Sequence, residues 1–309
     1  MLEEISQMSN SQLAQIIDSA LAKRAPLLTP QNNLARLVDG AGDHLPGVYL
    51  ETMGGHWLVS TKSAHLPDDL SKILSERCPS ALYWKRLDQH QKESPKHLAG
   101  LETPEFFTGI ENGLNCRLSF RSGYSQGIFL DQRENRRRLQ DLMSPGKTLL
   151  NTFSYTGFFS IAAGTAGATT STLDLSQVYL DWARKNFRLN HMDPEEHYFC
   201  KGDTFHWLRR FAKQGRKFDA IVLDPPTFSR DDKGKIFRVE QDYPRLFDLA
   251  LACLAHGGTI LACHNYRGMS VREFEDQLRS CAPSAEIKSV TMPVDFTEKQ
   301  YLKSSWVTV

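Results

Sequence analysis

The sequence predicts an α/β fold in which a doubly wound, mostly parallel sheet follows a smaller α+β domain. From residue 133 onward, apolar strand-like runs alternate with helical segments of about 10 to 15 residues, as right-handed βαβ crossovers require. Before residue 120 the strand-like runs are shorter and are separated by glycine-rich turns. A chain of 309 residues is long enough for two domains.

The first part of the chain is predicted to contain one helix and a small domain. Residues 9–23 begin with a serine cap and place apolar residues at helical spacing, so residues 1–30 are predicted to carry an N-terminal helix. The polar stretch 86–99, interrupted by a proline, is predicted to be a linker or mobile loop. The small α+β domain is predicted over residues 31–120, with strands at 33–38, 47–52, 56–61 and 81–86, a helix at 66–77 and a β-hairpin at 105–122.

The larger domain is predicted over residues 121–309. Its central strands are apolar runs, as expected of strands that are buried on both faces. No helix separates the last two strands, so they should pair antiparallel at one edge of the sheet. The predicted strands are 147–153, 169–175, 197–202, 218–224, 259–264, 286–293 and 304–309. The predicted helices are 133–144, 158–166, 176–190, 205–215, 242–257 and 271–280, with a long loop before 242.

The composition restricts the possible partners. There are 37 Lys and Arg against 36 Asp and Glu, so nucleic-acid contacts must come from a local patch and not from net charge. The six cysteines form neither a CxxC pair nor a zinc-type spacing, so we expect reduced thiols and no metal. The acidic first residues and the lack of an apolar run of about 18 residues predict a cytoplasmic protein without a membrane segment.

Ligand signals follow the first two strands of the larger domain. In a doubly wound sheet the ligand lies across the carboxyl ends of the strands. The turn from Asn151 to Gly157 has small residues but no GxGxxG, which favours an adenosine ligand without a pyrophosphate. Asp174 ends the second strand, where it either accepts hydrogen bonds from ribose hydroxyls or, like Ser176, only caps the next helix.

Two further candidate segments follow the third and fourth strands. Asp203 either holds an adenine amino group or caps the next helix. Asp224 is followed by Pro225 and Pro226, and two consecutive prolines make a rigid loop without backbone donors. A purely structural turn is the alternative for this loop.

Together these segments resemble the bacterial 23S ribosomal RNA base methyltransferases. The resemblance rests on QGIFLDQRENRR, LLNTFSYTGFFSIAAGTAGA, TLDLSQVYLDWARKNFRLN and IVLDPPTFSR, and it covers residues 125–309. It implies a Rossmann-like, seven-stranded class I methyltransferase sheet that binds S-adenosylmethionine (SAM). The segment LARLVDGAGDHLPGVYLE is similar to the small domain of the cytosine branch, although the PUA-type RNA-binding module of that branch is not found.

The resemblance also implies the roles of single residues. Asp174 would hold the ribose, and Asp203 with Thr204 the adenine edge. The implied cofactor residues are Phe129, Asn151, Phe153, Ser154, Tyr155, Gly157, Asp174, Leu175, Ser176, Asp203, Thr204 and Asp224. The implied catalytic residues, at the place where the methyl group meets the base, are Asp224, Pro225, Pro226 and Asn265.

The choice of base depends on the segment after Gly257 and Gly258. Cytosine C5 becomes nucleophilic only after a thiolate adds to C6, whereas guanine N7 already presents a lone pair. Cytosine members carry a cysteine where this chain has Asn265, so guanine N7 is predicted. Cys263 faces the same side of its strand and keeps cytosine C5 as an alternative, although buried packing is its other interpretation. The remaining alternatives are a non-RNA acceptor, and a SAM-binding or RNA-binding protein without catalysis.

The predicted partner is 23S rRNA or a ribosomal precursor particle, bound by a cationic patch and an aromatic platform. The main substrate-binding candidates are Arg133, Phe228, Arg230 and Arg267. Further candidates are Arg136, Arg137, Arg138, Lys233 and Tyr124, and a solvated helix face is the alternative for the three consecutive arginines. A solvated helix face, without a role in RNA binding, is the interpretation for Arg209, Arg210, Lys213, Arg216 and Lys217. His264 is predicted to be a strand-end residue with its hydrogen bonds satisfied, and not a general base.

Overall fold

The computed structural model describes residues 8–88, 93–123, 125–230 and 236–309. The chain divides into two compact units, one of Met1–Arg133 with Pro293–Lys299 and the other of Glu134–Met292 with Gln300–Val309. The first unit therefore extends beyond the boundary that the sequence predicts at residue 120. It includes the N-terminal helix, which is not a separate segment, and a short segment from the far end of the chain.

The first unit is built on a five-stranded sheet. Its strands are β1 (Leu34–Asp39), β2 (Val48–Met53), β3 (His56–Thr61), β4 (Ala81–Arg86) and β5 (Lys96–Gly100), and they lie in that order. β1, β2 and β3 form an antiparallel meander, β4 runs parallel to β3, and β5 runs antiparallel to β4. β5 shows that the prediction of a linker over 86–99 is wrong for its last residues, which pair at the sheet edge.

Two helices and a hairpin complete the first unit as the sequence predicts. Helix α1 (Asn10–Arg24) begins at a capping box formed by Ser9 and Gln12, and it buries Leu13 and Ile17 against the sheet's apolar cluster. Helix α2 spans Asp68–Arg77, between β3 and β4. The hairpin pairs β6 (Phe107–Glu111) with β7 (Leu114–Leu118). Its Asn112-Gly113 turn has positive φ at both residues, 51° and 79°, as a type I′ turn requires.

Buried carboxylates hold Pro293–Lys299 in the first unit. Asp295 accepts a hydrogen bond from the Arg133 guanidinium at 2.6 Å, and both side chains are almost fully buried. Asp39 accepts a hydrogen bond from the backbone amide of Thr297 at 2.6 Å. Because a buried charge requires a partner, these bonds fix the far segment beside β1.

The second unit is built on a seven-stranded sheet and a small hairpin. In the described residues its strands are β8 (Thr148–Thr152), β9 (Thr169–Asp174), β10 (Tyr198–Lys201), β11 (Phe218–Leu223), β12 (Phe228–Arg230), β13 (Ile236–Arg238), β14 (Leu254–His264), β15 (Glu286–Val290) and β16 (Lys303–Thr308). The large sheet has the order β10-β9-β8-β11-β14-β16-β15, and β12 pairs with β13. Five neighbouring strands of this sheet, β10, β9, β8, β11 and β14, run parallel to one another. β16 is antiparallel to both of its neighbours, β14 and β15.

Helices cover both faces of this sheet. Alternate residues of β11 face opposite sides of the sheet. Ile221 shares a cluster with residues of the helices Thr204–Lys213, Val239–Leu251 and Val271–Cys281, and Val222 with residues of Arg133–Leu142 and Phe158–Thr165. The helices are α3 (Arg133–Leu142), α4 (Phe158–Thr165), α5 (Gln177–Leu189), α6 (Thr204–Lys213), α7 (Val239–Leu251) and α8 (Val271–Cys281). The predicted doubly wound fold and the antiparallel last pair of strands are confirmed.

Two predictions in this unit are wrong. The segment predicted as a long loop contains the β12–β13 hairpin, whose strands have only three residues each, too few for alternation to be visible in sequence. The helix predicted over 242–257 ends at Leu251, and β14 already begins at Leu254. Gly257 lies inside that strand with φ of 70°, where its pairing with β11 is irregular.

Three predicted absences concern membranes, disulfides and metals. No helix in the described part of the chain is long and apolar enough to cross a membrane. All six cysteines lie in that part and carry thiols. Among the same residues, no three His, Cys, Asp or Glu side chains are grouped as a metal ion would need.

Candidate functional site

The candidate site lies at the carboxyl ends of β8, β9, β10 and β11 in the second unit. The strand order reverses between β8 and β11, and in such sheets this switch point forms the ligand crevice. Most of the predicted cofactor and catalytic residues follow these four strand ends, in segments 151–157, 174–176, 202–204 and 224–227.

The loop between β8 and α4 is strained. Phe153 and Tyr155 have φ of 51° and 49°, in the left-handed region that residues with a Cβ rarely adopt, and Gly157 follows at 82°. The Ser154 amide donates a hydrogen bond to the Leu173 carbonyl at 3.0 Å, so the loop is anchored to β9 despite the strain. Strain of this kind is concentrated at functional sites.

Helix α5 packs closely against the same loop. A Cβ added to Gly157 would lie 2.8 Å from the Cβ of Ala183, so packing as well as backbone conformation requires glycine there. Asn186 of the same helix is buried and donates from Nδ2 to the Thr156 carbonyl at 3.0 Å. The loop is thus fixed from two directions, by β9 and by α5.

The Asp174 carboxylate joins two loops. Its Oδ2 accepts a hydrogen bond from the Tyr155 amide and its Oδ1 from the Ser176 amide, both at 2.8 Å. Burial raises the pKa of the Asp174 carboxyl, while hydrogen bonds from backbone amides, that of Ser176 first, oppose the rise. Each oxygen of an ionised carboxylate has a further lone pair, so Asp174 can still accept hydrogen bonds from a diol.

Asp203 has a capping role in the structure. Its Oδ1 accepts a hydrogen bond from the His206 amide at 2.8 Å, which satisfies the first turn of α6. Thr204, the first residue of that helix, is buried. The predicted adenine contact of Asp203 remains a prediction beside this observed role.

Two buried polar atoms near the loop lack a partner among the described residues. They are the Ser154 hydroxyl and the Oδ1 of Asn151, whose Nδ2 donates to Ser160 at 3.0 Å. Buried polar atoms are rarely left without hydrogen bonds in a complete assembly. These atoms and the Asp174 carboxylate therefore fit a ligand that carries several hydroxyl or amino groups.

The loop after β11 is held at both ends. The Thr227 hydroxyl donates to the Asn265 Oδ1 at 2.5 Å, which joins this loop to the end of β14. The buried Tyr243 hydroxyl donates to the Leu223 carbonyl at 3.3 Å, directly before Asp224. Proline rings fix the φ angles between these two anchors. The loop thus presents Asp224 from a rigid frame.

Comparison with known proteins agrees with this geometry. Residues 85–299 match the family described as S-adenosylmethionine-dependent methyltransferase. The chain is 37% identical over 259 residues to ribosomal RNA large subunit methyltransferase K of Neisseria meningitidis, covering 82% of this chain and 72% of that protein. It is 30% identical over 326 residues to ribosomal RNA large subunit methyltransferase of Deinococcus radiodurans, covering 97% and 79%.

The chain belongs to the S-adenosylmethionine-dependent methyltransferase family. A solved structure also resembles this methyltransferase: that of SMU.776 complexed with SAH has a TM-score of 0.90 at 28% identity, covering 98% of this chain and 82% of that one. The resemblance inferred from the motifs is confirmed, as are the enzyme class and SAM as the cofactor.

Cys263 of the methyltransferase is a core residue. It is completely buried, with its Sγ 3.5 Å from the Ser304 hydroxyl. It shares an apolar cluster with Leu149 and Val222, although it is the next-to-last residue of β14. Asn265, two residues later, is exposed. The packing interpretation of Cys263 therefore fits the structure better than the nucleophile interpretation.

His264 lies in a buried aromatic cluster. Burial, and next the charge of Lys303, lower the pKa of His264 to about 4, so the ring is neutral at physiological pH. Its Nδ1 accepts a hydrogen bond from the Tyr266 amide at 3.2 Å, and its ring meets that of Phe274 edge-on at 4.4 Å. The ring therefore packs at the end of its strand, but its buried Nε2 has no hydrogen-bond partner among the described residues, so the side chain is not fully hydrogen-bonded as the sequence predicts.

The predicted RNA-binding arginines differ in their surroundings. Arg133 is buried in its ion pair with Asp295, within the first unit. Arg136 is buried, with its guanidinium carbon 5.8 Å from the ring centre of Phe158. Arg137 pairs with Asp141 one turn later on α3. A helix-surface or packing role therefore suits these three side chains better than a nucleic-acid contact.

Three of the candidate residues have exposed side chains. Arg267 is exposed, with its guanidinium carbon 5.2 Å from the ring centre of Tyr301. Phe228 and Phe129 are both half exposed, and Phe129 belongs to the first unit. Tyr124, Lys233 and the side chain of Arg230 lie outside the described part of the methyltransferase.

Two residues at the site are not found by sequence reasoning. Tyr243 is hidden in an ordinary helical pattern, and only its buried hydroxyl reveals its contact with β11. Arg238 follows the segment predicted as a loop, so its place opposite Phe228 depends on a hairpin that sequence reasoning misses. The sequence signal for Arg238 is its position directly before a helix.

Proposed function

We propose that this enzyme transfers the methyl group of SAM to guanine N7 of large-subunit ribosomal RNA. The observation that carries the proposal is the contact of Thr227 with Asn265, which holds the rigid loop after Asp224 next to an exposed asparagine where a cysteine nucleophile would otherwise stand. The names of the Neisseria and Deinococcus relatives support large-subunit ribosomal RNA as the acceptor.

Residues of the switch point are proposed to hold the cofactor. When bound, SAM supplies a methyl group on a positively charged sulfonium. The Asp174 carboxylate accepts hydrogen bonds from the two ribose hydroxyls, and the Ser154 hydroxyl and Asn151 Oδ1 provide partners that are otherwise unused within the described chain. Asp203 contacts the adenine edge while it caps α6.

The acceptor chemistry asks little of the protein beyond orientation. Guanine N7 carries a lone pair and no proton, so no general base is needed. Asn265 accepts from Thr227 through Oδ1, and this leaves its Nδ2 hydrogens to donate to guanine O6, which neighbours N7. In this proposal Asp224 accepts hydrogen bonds from the guanine N–H groups, and the two prolines after it restrict the loop that carries it.

Cytosine C5 methylation needs a thiolate at the base, and the surroundings of Cys263 count against it. Its sulfur is fully buried, next to Ser304 and among apolar side chains that disfavour the charged thiolate. The neutral, buried His264 does not offer a charge to stabilise that thiolate. These observations favour the guanine branch.

The test is methyl transfer from tritiated SAM to protein-free 23S rRNA and to ribosomal precursor particles, followed by mass spectrometry of the nucleosides. We expect 7-methylguanosine with the wild-type enzyme and none with Asp224→Ala. Labelled 5-methylcytidine would overturn the choice of base. Transfer to a metabolite or protein but to no RNA would overturn the acceptor class. An RNA acceptor also implies a cytoplasmic location, which belongs to the same proposal.

A further inference from the structure

An exposed aromatic ring and an exposed arginine face each other where the β12–β13 hairpin begins. Phe228 is 51% exposed and directly follows the loop after Asp224. Arg238 is paired with it in register on β13, and its guanidinium carbon lies 5.5 Å from the ring centre. This distance is that of a cation–π contact.

The base of the hairpin is anchored in the core of the second unit. Phe237, the neighbour of Arg238, is buried, and its ring lies 6.3 Å from that of Phe153 in the loop between β8 and α4. The Val239 amide donates to the Thr227 carbonyl at 3.1 Å. Because alternate residues of a strand face opposite sides, anchoring Phe237 inward directs Arg238 outward.

The chemistry of this pair matches one kind of ligand. Unpaired RNA bases stack on aromatic rings and on guanidinium planes, and arginine forks bind phosphate oxygens. Phe228 is half exposed and lies two residues after the second proline of a rigid loop. Its ring offers a base a flat apolar surface in a fixed position. A cation held beside that face provides the counterpart of the RNA backbone charge.

We propose that Phe228 and Arg238 form a nucleotide clamp, in which the ring stacks on the acceptor base and the guanidinium binds the adjoining phosphate. The clamp rests on the proposed function, since it requires an RNA acceptor. It adds Arg238 as an RNA-contacting residue and limits the substrate to RNA whose target nucleotide is unpaired or can be turned out of its helix.

The experiment compares Arg238→Gln and Phe228→Leu with the control Arg209→Gln, which removes an exposed arginine from α6. For each enzyme we would measure the SAM Kd by calorimetry, kcat and KM for rRNA, and the salt dependence of RNA affinity. Phe228→Leu is expected to weaken RNA binding by about 5- to 150-fold. Arg238→Gln is expected to raise KM and to reduce the salt slope by about 0.7, the value for one phosphate of a single strand.

The outcomes separate the clamp from the function on which it rests. If wild-type enzyme methylates no RNA, the proposed function and the clamp both fail. If wild-type enzyme methylates rRNA and Arg238→Gln matches Arg209→Gln in KM and salt slope, only the clamp fails. An Arg238→Gln enzyme with unchanged SAM affinity and a raised KM for rRNA supports the clamp. Arg238 is exposed, so its variant provides the test even where Phe228→Leu folds poorly.

Discussion

The Thr227 hydroxyl and the Asn265 side-chain carbonyl form a 2.5 Å hydrogen bond between the loop after β11 and the loop after β14. The two strands are neighbours in the sheet, but the residues are separated by 38 positions in the chain. The bond uses the Oδ1 of the Asn265 amide and leaves its Nδ2 hydrogens for other partners. Under the proposed function, it therefore determines that this side chain donates to the acceptor base.

Thr227→Val should lower kcat while leaving the SAM Kd unchanged. Valine keeps the shape of threonine but removes the hydroxyl, so the Asn265 amide loses the bond that orients it. A net hydrogen bond is worth about 0.5–1.5 kcal/mol, which corresponds to a loss of about 2- to 12-fold in kcat. Single-turnover kinetics and calorimetry would measure both quantities.

The matched control for that variant is Thr308→Val. Thr308 lies on β16 and pairs with Thr259 in the middle of β14, away from the strand end at His264. Its hydroxyl contact with Thr259 is 3.2 Å. Equal kcat values for the two variants would show that the Thr227 bond has no part in orienting Asn265.

Asp174→Asn should weaken SAM binding and remove its dependence on acidic pH. In the wild-type enzyme the ionised carboxylate can accept from both ribose hydroxyls while it also accepts from the Tyr155 and Ser176 amides. Protonation turns one of its oxygens into a donor and removes part of this acceptor capacity, so SAM affinity should fall as the pH drops through the pKa of Asp174. Burial raises this pKa above the ordinary value of 3.8, so the loss begins at higher pH than for an exposed aspartate. Losing bonds to a charged acceptor costs about 1.5–3 kcal/mol, or about 12- to 150-fold in Kd.

Stability has the opposite pH dependence, which distinguishes a binding role from a structural one. Since the folded state binds the Asp174 proton more tightly than the unfolded state, the contribution of this group to stability falls as pH rises from the unfolded to the folded pKa. Calorimetric SAM titrations and denaturant unfolding between those limits would follow the two effects. A SAM affinity independent of pH in the wild-type enzyme would contradict the ribose contact.

Sequence reasoning finds the parts of the site that depend on strand ends. Asp224 follows the apolar run of β11, which is visible in the sequence alone, whereas Asp174 ends β9, a strand rich in β-branched threonines. The topology then brings the ends together without further information. The strain at Phe153 and Tyr155 is not visible in this way, because neither residue type favours a positive φ.

Contacts between distant segments are what sequence reasoning misses. Arg133 and Asp295 are separated by 162 positions, and no periodicity links them. For this reason sequence reasoning places the segment around Asp295 in the larger domain, whereas the structure groups it with the first unit. The β12–β13 hairpin is missed because three-residue strands carry no readable alternation, and with it the pairing of Phe228 and Arg238.

Cys263→Ala should retain full methyl transfer, since the thiol packs in the core and does not reach the acceptor. The appropriate control is Cys253→Ala, another completely buried cysteine, whose Sγ contacts the Leu208 carbonyl at 3.3 Å. Both variants should lose stability to a similar small extent through the cavity left by one sulfur. Loss of activity in Cys263→Ala alone, with the fold retained, or a covalent RNA adduct, would favour the cytosine mechanism.

Asp295→Ala should strongly destabilise the first unit, because it leaves the buried Arg133 guanidinium without its carboxylate. The two side chains are only 4% and 0% exposed, so water cannot replace the lost partner. Removing one member of a buried ion pair costs about 3–5 kcal/mol.

The exposed pair of Arg137 and Asp141, whose side chains are 56% and 63% accessible, provides the control. Asp141→Ala should change the free energy of unfolding by about 0.5 kcal/mol or less, the size of an exposed pair one helical turn apart. Denaturant unfolding would compare the variants, and equal losses would show that burial does not strengthen the Arg133 pair.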